Sequence, residues 1–145
     1  MTINAKSAFT SGLVAGTIII IIGFGLVPIL GKQMNEVLES RSLPPLGIGA
    51  MIFFPLLSIT FGISIVWLYA LIQSKFKSKL KAAFVSAIII WFYAYFLPNS
   101  ALVVYGFMPF SLTAIGTAWG ILEVLIASIV GSRLYKESNK KLKKE

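Results

Sequence analysis

One apolar segment near the end of the chain constrains the fold most, because it is long enough to cross a bilayer and still carries an acid. Residues 111–134 read SLTAIGTAWGILEVLIASIVGSRL, with Glu123 near the middle. At 1.5 Å per residue this segment makes a helix about 36 Å long, against a hydrocarbon core of about 30 Å. A carboxyl group is costly at that depth in lipid, so we expect Glu123 to face protein.

The face of this helix that carries Glu123 also carries small residues. Gly116 and Gly120 have the G-x-x-x-G spacing, which lets a second helix backbone approach closely. The first apolar segment has a similar row at Gly12, Gly16 and Gly23. The predicted helix-packing residues are Gly12, Gly16, Gly23, Gly116, Gly120, Ala127 and Gly131.

We predict that these two rows meet. If the first and last spans run antiparallel, depth from the outer surface places Gly23 near Gly116, and Gly16 between Gly120 and Ala127. In that arrangement Glu123 lies beside the first helix and is hidden from lipid.

Composition identifies the class of protein. Of the 145 residues, 57% are hydrophobic and 12% are charged, and the mean hydropathy is +0.89, values typical of an integral membrane protein. Four apolar runs occur at 8–30, 46–72, 82–97 and 111–134. We therefore predict an all-α fold, a single domain formed by a bundle of four transmembrane helices.

The distribution of basic residues predicts the orientation of this bundle. In a four-span arrangement all but two of the 13 Lys and Arg residues fall on one side, and the exceptions are Lys32 and Arg41. Positive residues favour the cytoplasm. We predict a multi-pass protein of the cell membrane (plasma or inner membrane), with both termini cytoplasmic and a short extracytoplasmic connection after the first span.

Two basic segments suggest a lipid contact. The loop at 73–81 holds four lysines, and the tail at 136–145 is also rich in lysine. Each basic residue near an anionic surface contributes about 1 kcal/mol of attraction, so anionic headgroups are predicted partners, although a topology signal alone explains both segments and is the favoured interpretation. Because the basic residues flank apolar spans, we do not expect nucleic acid to bind.

Prolines mark two places where the helices are expected to change. Pro28 falls in the last turn of the first span, and Pro98 is expected to end the third. The apolar residues 101–110 that follow are too few to cross, so we predict a re-entrant or interfacial segment before the fourth helix. The aromatic residues at 91–96 are interpreted as an interfacial belt.

Missing residue types exclude several chemistries. The chain has no Cys and no His, which removes thiol chemistry, Cys/His zinc sites and His-ligated haem. Glu123 is the one acid within a predicted span. We therefore predict no catalytic residue, no metal and no cofactor, and a protein that is not an enzyme.

Polar residues near the level of Glu123 form a candidate proton- or ion-binding group. Counting inward from the outer ends puts them about 16–20 Å deep. The candidates are Glu123, Thr17, Ser58, Thr60 and Ser86. No Lys or Arg lies within a predicted span to pair with the acid, so these hydroxyl groups are its expected hydrogen-bond partners.

Two functions remain open. The first is a non-enzymatic subunit or assembly component, which packs onto other membrane chains or onto itself. The alternative is a proton-coupled small transporter or ion pore that uses the Glu123 carboxyl group, since acids within the membrane commonly mark such pathways. In the first case Glu123 has a structural role, and in the second it binds the transported ion.

Overall fold

A computed structural model describes residues 3–138 of the chain, and every regular element within that range is helical. The α-helices are α1 (Ala5–Phe24), α2 (Val27–Ser40), α3 (Ile48–Ile72), α4 (Lys79–Trp91), α5 (Leu97–Val104) and α6 (Phe110–Leu134). A 3-10 turn, Gln73–Lys75, follows α3, and a π-helical segment, Phe92–Phe96, joins α4 to α5.

Four stretches of helix are long and apolar enough to cross a membrane. These are Ala5–Phe24, Ile48–Lys75, Lys79–Val104 and Phe110–Leu134. The predicted all-α fold is confirmed, as is the presence of four helices long and apolar enough to span a membrane. The side of the membrane that each end faces stays a prediction.

The first helix ends earlier than predicted. The span expected at 8–30 breaks at Gly25 and Leu26, and a separate helix, α2, begins at Val27. Pro28 lies in the first turn of α2 instead of the last turn of a span. A proline has no N–H to donate, and the first turn of a helix is where that donor is not needed.

The third span is longer than predicted, and no separate segment precedes the fourth. The helix runs from Lys79 to Val104, because it continues past Pro98. Pro98 occupies the first turn of α5, and just before it the N–H of Leu97 donates to the carbonyl of Phe92, five residues back. Residues 101–110 do not form a separate segment: the first four complete α5, the next five form the turn, and Phe110 begins α6. Their position relative to the membrane interface stays a prediction.

The closest helix contact joins α1 to α3. A Cβ atom placed on Gly12 would lie 2.6 Å from the Cα atom of Ile63. One placed on Gly62 would overlap the backbone of Gly16. The small residues of α1 thus allow α3 to approach, where we had expected them to receive the last helix.

The first and last helices also touch, in a register different from the expected one. A Cβ atom on Gly131 would lie 3.1 Å from the Cβ atom of Ala15. At the other end, Gly23 lies beside Glu123 instead of Gly116, which is about two helical turns away along α6. Among residues 3–138, no atom outside the nearby backbone of α6 lies within 4 Å of a Cβ atom placed on Gly116.

The two ends of the described chain lie together. The N–H of Asn4 donates to the Tyr135 hydroxyl group at 3.2 Å, and the N–H of Lys136 donates to Ser7 Oγ at 2.7 Å. We call the half of the bundle on this side the packed half and the opposite half the open half. The packed half comprises residues 5–19, 62–75, 79–87 and 120–134, and the open half comprises 20–40, 48–61, 88–104 and 110–119.

The cluster of buried core residues lies on the packed side of the bundle. It includes Ala8, Ala15, Ile19, Ile65, Val66, Tyr69, Ala70, Ala82, Ala83, Ala87, Val124 and Ala127. In the open half, Leu30 and Leu112 are the buried residues of the described chain. The helices are therefore tightly packed at one end of the bundle and loosely packed at the other.

The basic segments are described only in part. Lys79 forms an ion pair of 3.0 Å with Glu137, and both side chains are exposed. Residues 139–145, which hold the last four lysines of the predicted headgroup-binding tail, lie outside the described residues. Contact with anionic lipid stays a prediction.

Candidate functional site

Glu123 lies where the packed half of the bundle meets the open half. It is in the middle of α6, and only 6% of its surface is exposed. Val124, the next residue, belongs to the core, whereas residues toward the start of α6 line open space. The carboxyl group is therefore held at the point where close packing ends.

One oxygen of the carboxyl group is bound by a tyrosine. The Tyr95 hydroxyl group donates a hydrogen bond of 2.9 Å to Glu123 Oε2. Tyr95 belongs to the π-helical segment, and its ring lies against Gly120, where a Cβ atom would overlap it. The glycine, one turn before Glu123, thus makes room for the ring that reaches the acid.

The other oxygen is directed toward α1. A Cβ atom placed on Gly23 would lie 3.3 Å from Glu123 Oε1, so the missing side chain of Gly23 leaves space beside this atom. Within residues 3–138, Tyr95 supplies the one hydrogen bond to the carboxyl group. Oε1 therefore keeps its capacity to accept a hydrogen bond from a ligand.

No basic side chain in the described part of the chain pairs with Glu123. The ion pairs there are Lys32 with Glu36, at 3.9 Å, and Lys79 with Glu137, at 3.0 Å, and all four side chains are exposed. A buried carboxylate without a cation is strongly disfavoured, so the group must hold a proton or bind a cation.

Glu123 forms part of the wall of a cleft of about 550 Å³ in the open half. A volume of this size lies within the range of about 300–1,000 Å³ found for small-molecule sites. The residues that line it are Ile19, Ile20, Gly23, Phe24, Leu26, Val27, Leu46, Ala50, Met51, Phe54, Pro55, Ser58 and Glu123. Glu123 and Ser58 are the polar side chains among them, so the cleft is an apolar space with one acid.

The four hydroxyl groups expected near Glu123 do not bind it. Each donates at 2.9 Å to the carbonyl four residues earlier in its own helix: Thr17 to Leu13, Ser58 to Phe54, Thr60 to Leu56 and Ser86 to Ala82. This is the local bond that Ser and Thr favour inside helices. Ser58 still lines the same cleft, but Thr17 and Thr60 are exposed on the bundle surface and Ser86 is buried in the core.

A second cleft of about 560 Å³ lies on the other side of the open half, between the third span and α6. Two hydrogen bonds cross its base: Trp91 Nε1 donates to the Thr117 carbonyl, and Asn99 Nδ2 donates to Thr117 Oγ1, each at 2.8 Å. Its lining, which includes Ala114 and Ala118, contains no charged side chain. This cleft therefore differs from the first in having no acid among the residues that line it.

Trp119 connects α6 to the end of α1. Its Nε1 atom donates to the carbonyl of Ile22 at 3.1 Å, and its ring lies beside Gly25, where a Cβ atom would be 3.4 Å away. This contact fixes the position of Gly23 relative to Glu123.

No protein-family model, curated protein or solved structure matches this chain. The function is therefore inferred from the geometry of the site.

Proposed function

We propose that this protein is a small membrane transporter in which the Glu123 carboxyl group exchanges a proton for a cationic ligand. The observation that supports the proposal is the position of Glu123, buried where close packing ends and forming part of an apolar cleft. From the sequence, a transporter or ion pore that uses Glu123 is the alternative to a subunit or assembly component. No catalytic activity is proposed.

The exchange follows from the cost of burying charge. In the empty cleft the carboxyl group holds a proton, because no basic residue of the described chain neutralises it. A cation that enters the cleft provides that neutralisation instead, and the proton is released to water. Since either the proton or the cation is bound, movement of one is coupled to movement of the other.

Transport also requires a second arrangement of the helices. The cleft lies in the open half, and the core of the packed half closes the opposite side. We propose that the packed half opens when the open half closes. The protein is also proposed to act as an oligomer, because four helices alone rarely enclose a pathway. The protein is proposed to reside in the cell membrane with both termini cytoplasmic.

Proteoliposomes test this proposal. A proton gradient is imposed across vesicles that contain the protein and a pH-sensitive dye, and uptake is measured for rubidium and for several organic cations. We expect cations to cross the membrane in one direction while protons cross in the other. Glu123→Gln should abolish this exchange, because the amide cannot release a proton. Glu36→Gln, a change at an exposed glutamate, is the matched control. Equal flux in the Glu123→Gln protein, with normal folding, would overturn the proposal.

The second cleft favours the other candidate function, a non-enzymatic subunit or assembly component. It is uncharged, and Ala114 and Ala118 form part of its wall, features that suit close approach of a helix from another membrane chain. Cross-linking and native mass spectrometry in mild detergent test this candidate. Ala118→Trp should fill the cleft and remove the partner, whereas recovery of the unaltered protein as a lone monomer would count against it.

The basic loop and tail are proposed to contact anionic headgroups. Lys75 and Lys77 of the loop are exposed, and the loop leads into Lys79, which forms the exposed ion pair with Glu137. The attraction expected is about 1 kcal/mol for each basic residue near the surface.

A further inference from the structure

We infer that the cleft beside Glu123 binds a lipophilic primary or secondary ammonium ion, which donates an N–H to Glu123 Oε1. This inference names the ligand of the proposed transport site and rests on that proposal. It follows from three properties of the cleft: its single acid, the free oxygen of that acid and the apolar character of the walls.

The acid sets the charge of the ligand. Glu123 is 94% buried, as its exposed fraction of 6% implies, and the described chain gives it no cationic partner. A ligand that neutralises the carboxylate must therefore carry a positive charge. Inorganic cations fit poorly, because ions such as calcium and magnesium need several oxygen ligands, and the side chains lining the cleft supply only those of Glu123 and Ser58.

The free oxygen sets the chemistry of the positive group. Oε2 accepts a hydrogen bond from Tyr95, while Oε1 lies beside the empty position at Gly23. An ammonium group with an N–H makes a charge-assisted hydrogen bond to such an oxygen. A quaternary ammonium ion has no N–H and is typically held by a cage of aromatic rings, whereas the cleft lining contains only Phe24 and Phe54.

The walls of the cleft determine the polarity and size of the uncharged part of the ligand. They are formed almost entirely by apolar residues in and next to α1, α2 and α3, and line an open cleft of about 550 Å³. Such a space holds an apolar body of the size of a typical drug molecule. A hydrophilic amine would leave this surface unfilled, so the ligand class is an amine with a substantial hydrocarbon or aromatic part.

Fluorescence provides a direct binding test that does not depend on transport. Dansylcadaverine, a primary ammonium ion with an aromatic group, is added to the protein in nanodiscs, and energy transfer from tryptophan is recorded. Trp119 lies beside Gly25, whose chain neighbours Phe24 and Leu26 line the cleft, so a bound dansyl group should accept its energy. Competition is measured with 4-phenylbutylamine, its N-trimethyl derivative and 4-phenylbutanol. We expect displacement by the amine at concentrations at least about tenfold lower than for the other two compounds.

Two variants locate the site. Glu123→Gln should raise the dissociation constant by about tenfold to hundredfold, the value expected for loss of a charge-assisted hydrogen bond. Gly23→Ala places a methyl group beside Oε1 and should weaken binding while the charge is kept. Gly116→Ala is its matched control, because a methyl group there meets nothing within 4 Å. If Glu123→Gln does not fold, the difference between the two alanine variants decides.

The outcomes separate this inference from the proposed transport. Binding of the amine without proton-driven flux would support the ligand and overturn the transport function. Flux of rubidium without amine binding would overturn the ligand and leave transport standing. Equal displacement by the trimethyl derivative, or equal affinity in the Gly23→Ala and Gly116→Ala proteins, would also overturn the inferred hydrogen bond.

Discussion

The backbone of Gly62 in α3 lies directly against the backbone of Gly16 in α1. A Cβ atom at Gly62 would overlap the N and Cα atoms of Gly16 and would lie 2.6 Å from the carbonyl oxygen of Gly12. These are main-chain atoms of a helix, which cannot move without moving the helix. The contact therefore fixes the distance between α1 and α3.

Gly62→Ala should consequently destabilise the bundle. We expect the free energy of unfolding to fall by about 1–3 kcal/mol, the usual cost of overpacking, as measured by thermal or denaturant unfolding in detergent. Gly49→Ala in the same helix is the control, since a Cβ atom there meets nothing within 4 Å. It should be neutral or slightly stabilising. An equal loss in both variants would show that the close contact has been misjudged.

Tyr95→Phe should remove the one hydrogen bond that the described chain gives to Glu123. The expected loss in the free energy of unfolding is about 0.6–1.7 kcal/mol, as found for hydrogen bonds between membrane helices. Tyr93→Phe, in the same π-helical segment, is the control because the Tyr93 hydroxyl group makes no hydrogen bond within the described residues. Unfolding measurements that give equal values for the two variants would contradict a structural role for the bond.

Gly120→Ala should act through the ring of Tyr95. The added methyl group would overlap that ring. The Tyr95 side chain can rotate away from the methyl group, which a helix backbone in the same place could not do. We expect the variant to lose stability in the native background and to lose little when Tyr95 is already alanine. A double-mutant cycle of unfolding free energies measures this coupling. Additive losses would mean that Gly120 matters for another reason.

The orientation of the chain can be tested with reporters. A reporter fused after Glu145 and one inserted near Ser40 should lie on opposite sides of the membrane, with the first in the cytoplasm, because Lys and Arg are concentrated on that side. Activity of alkaline phosphatase and fluorescence of a cytoplasmic reporter distinguish the two locations. Reporters on the same side would refute the predicted arrangement.

The sequence predicted the helices well and their partners less well. Long apolar runs determine which segments are helical, because the bilayer admits few alternatives. A row of small residues shows that another backbone can approach but not which one. Gly12 and Gly16 therefore appeared to suit α6, when both lie against α3 beside Gly62, a glycine within a long apolar helix.

Tyr95 was overlooked for a reason that involves the helix as a whole. Pro98 was expected to end the third span, and Tyr95 was then assigned to an aromatic belt at the membrane surface. Because the helix continues to Val104, Tyr95 lies deeper and reaches Glu123. The hydroxyl groups of Thr17 and Thr60 show the converse error, since a residue at the correct depth can still point away from the site.

The π-helical segment Phe92–Phe96 can also be described in terms of chain length. A short π-helical segment corresponds to one extra residue inserted into an α-helix. One residue added to a regular α-helix would turn the two flanks by about 100° relative to each other, but the wider π-helical turn takes up that residue. The flanks therefore keep the orientation in which Trp91 and Asn99, on either side of the segment, both reach Thr117. Deleting one residue, such as Ala94, should accordingly convert the segment to regular α-helix and leave both bonds in place, whereas inserting a residue without a second wide turn should separate them.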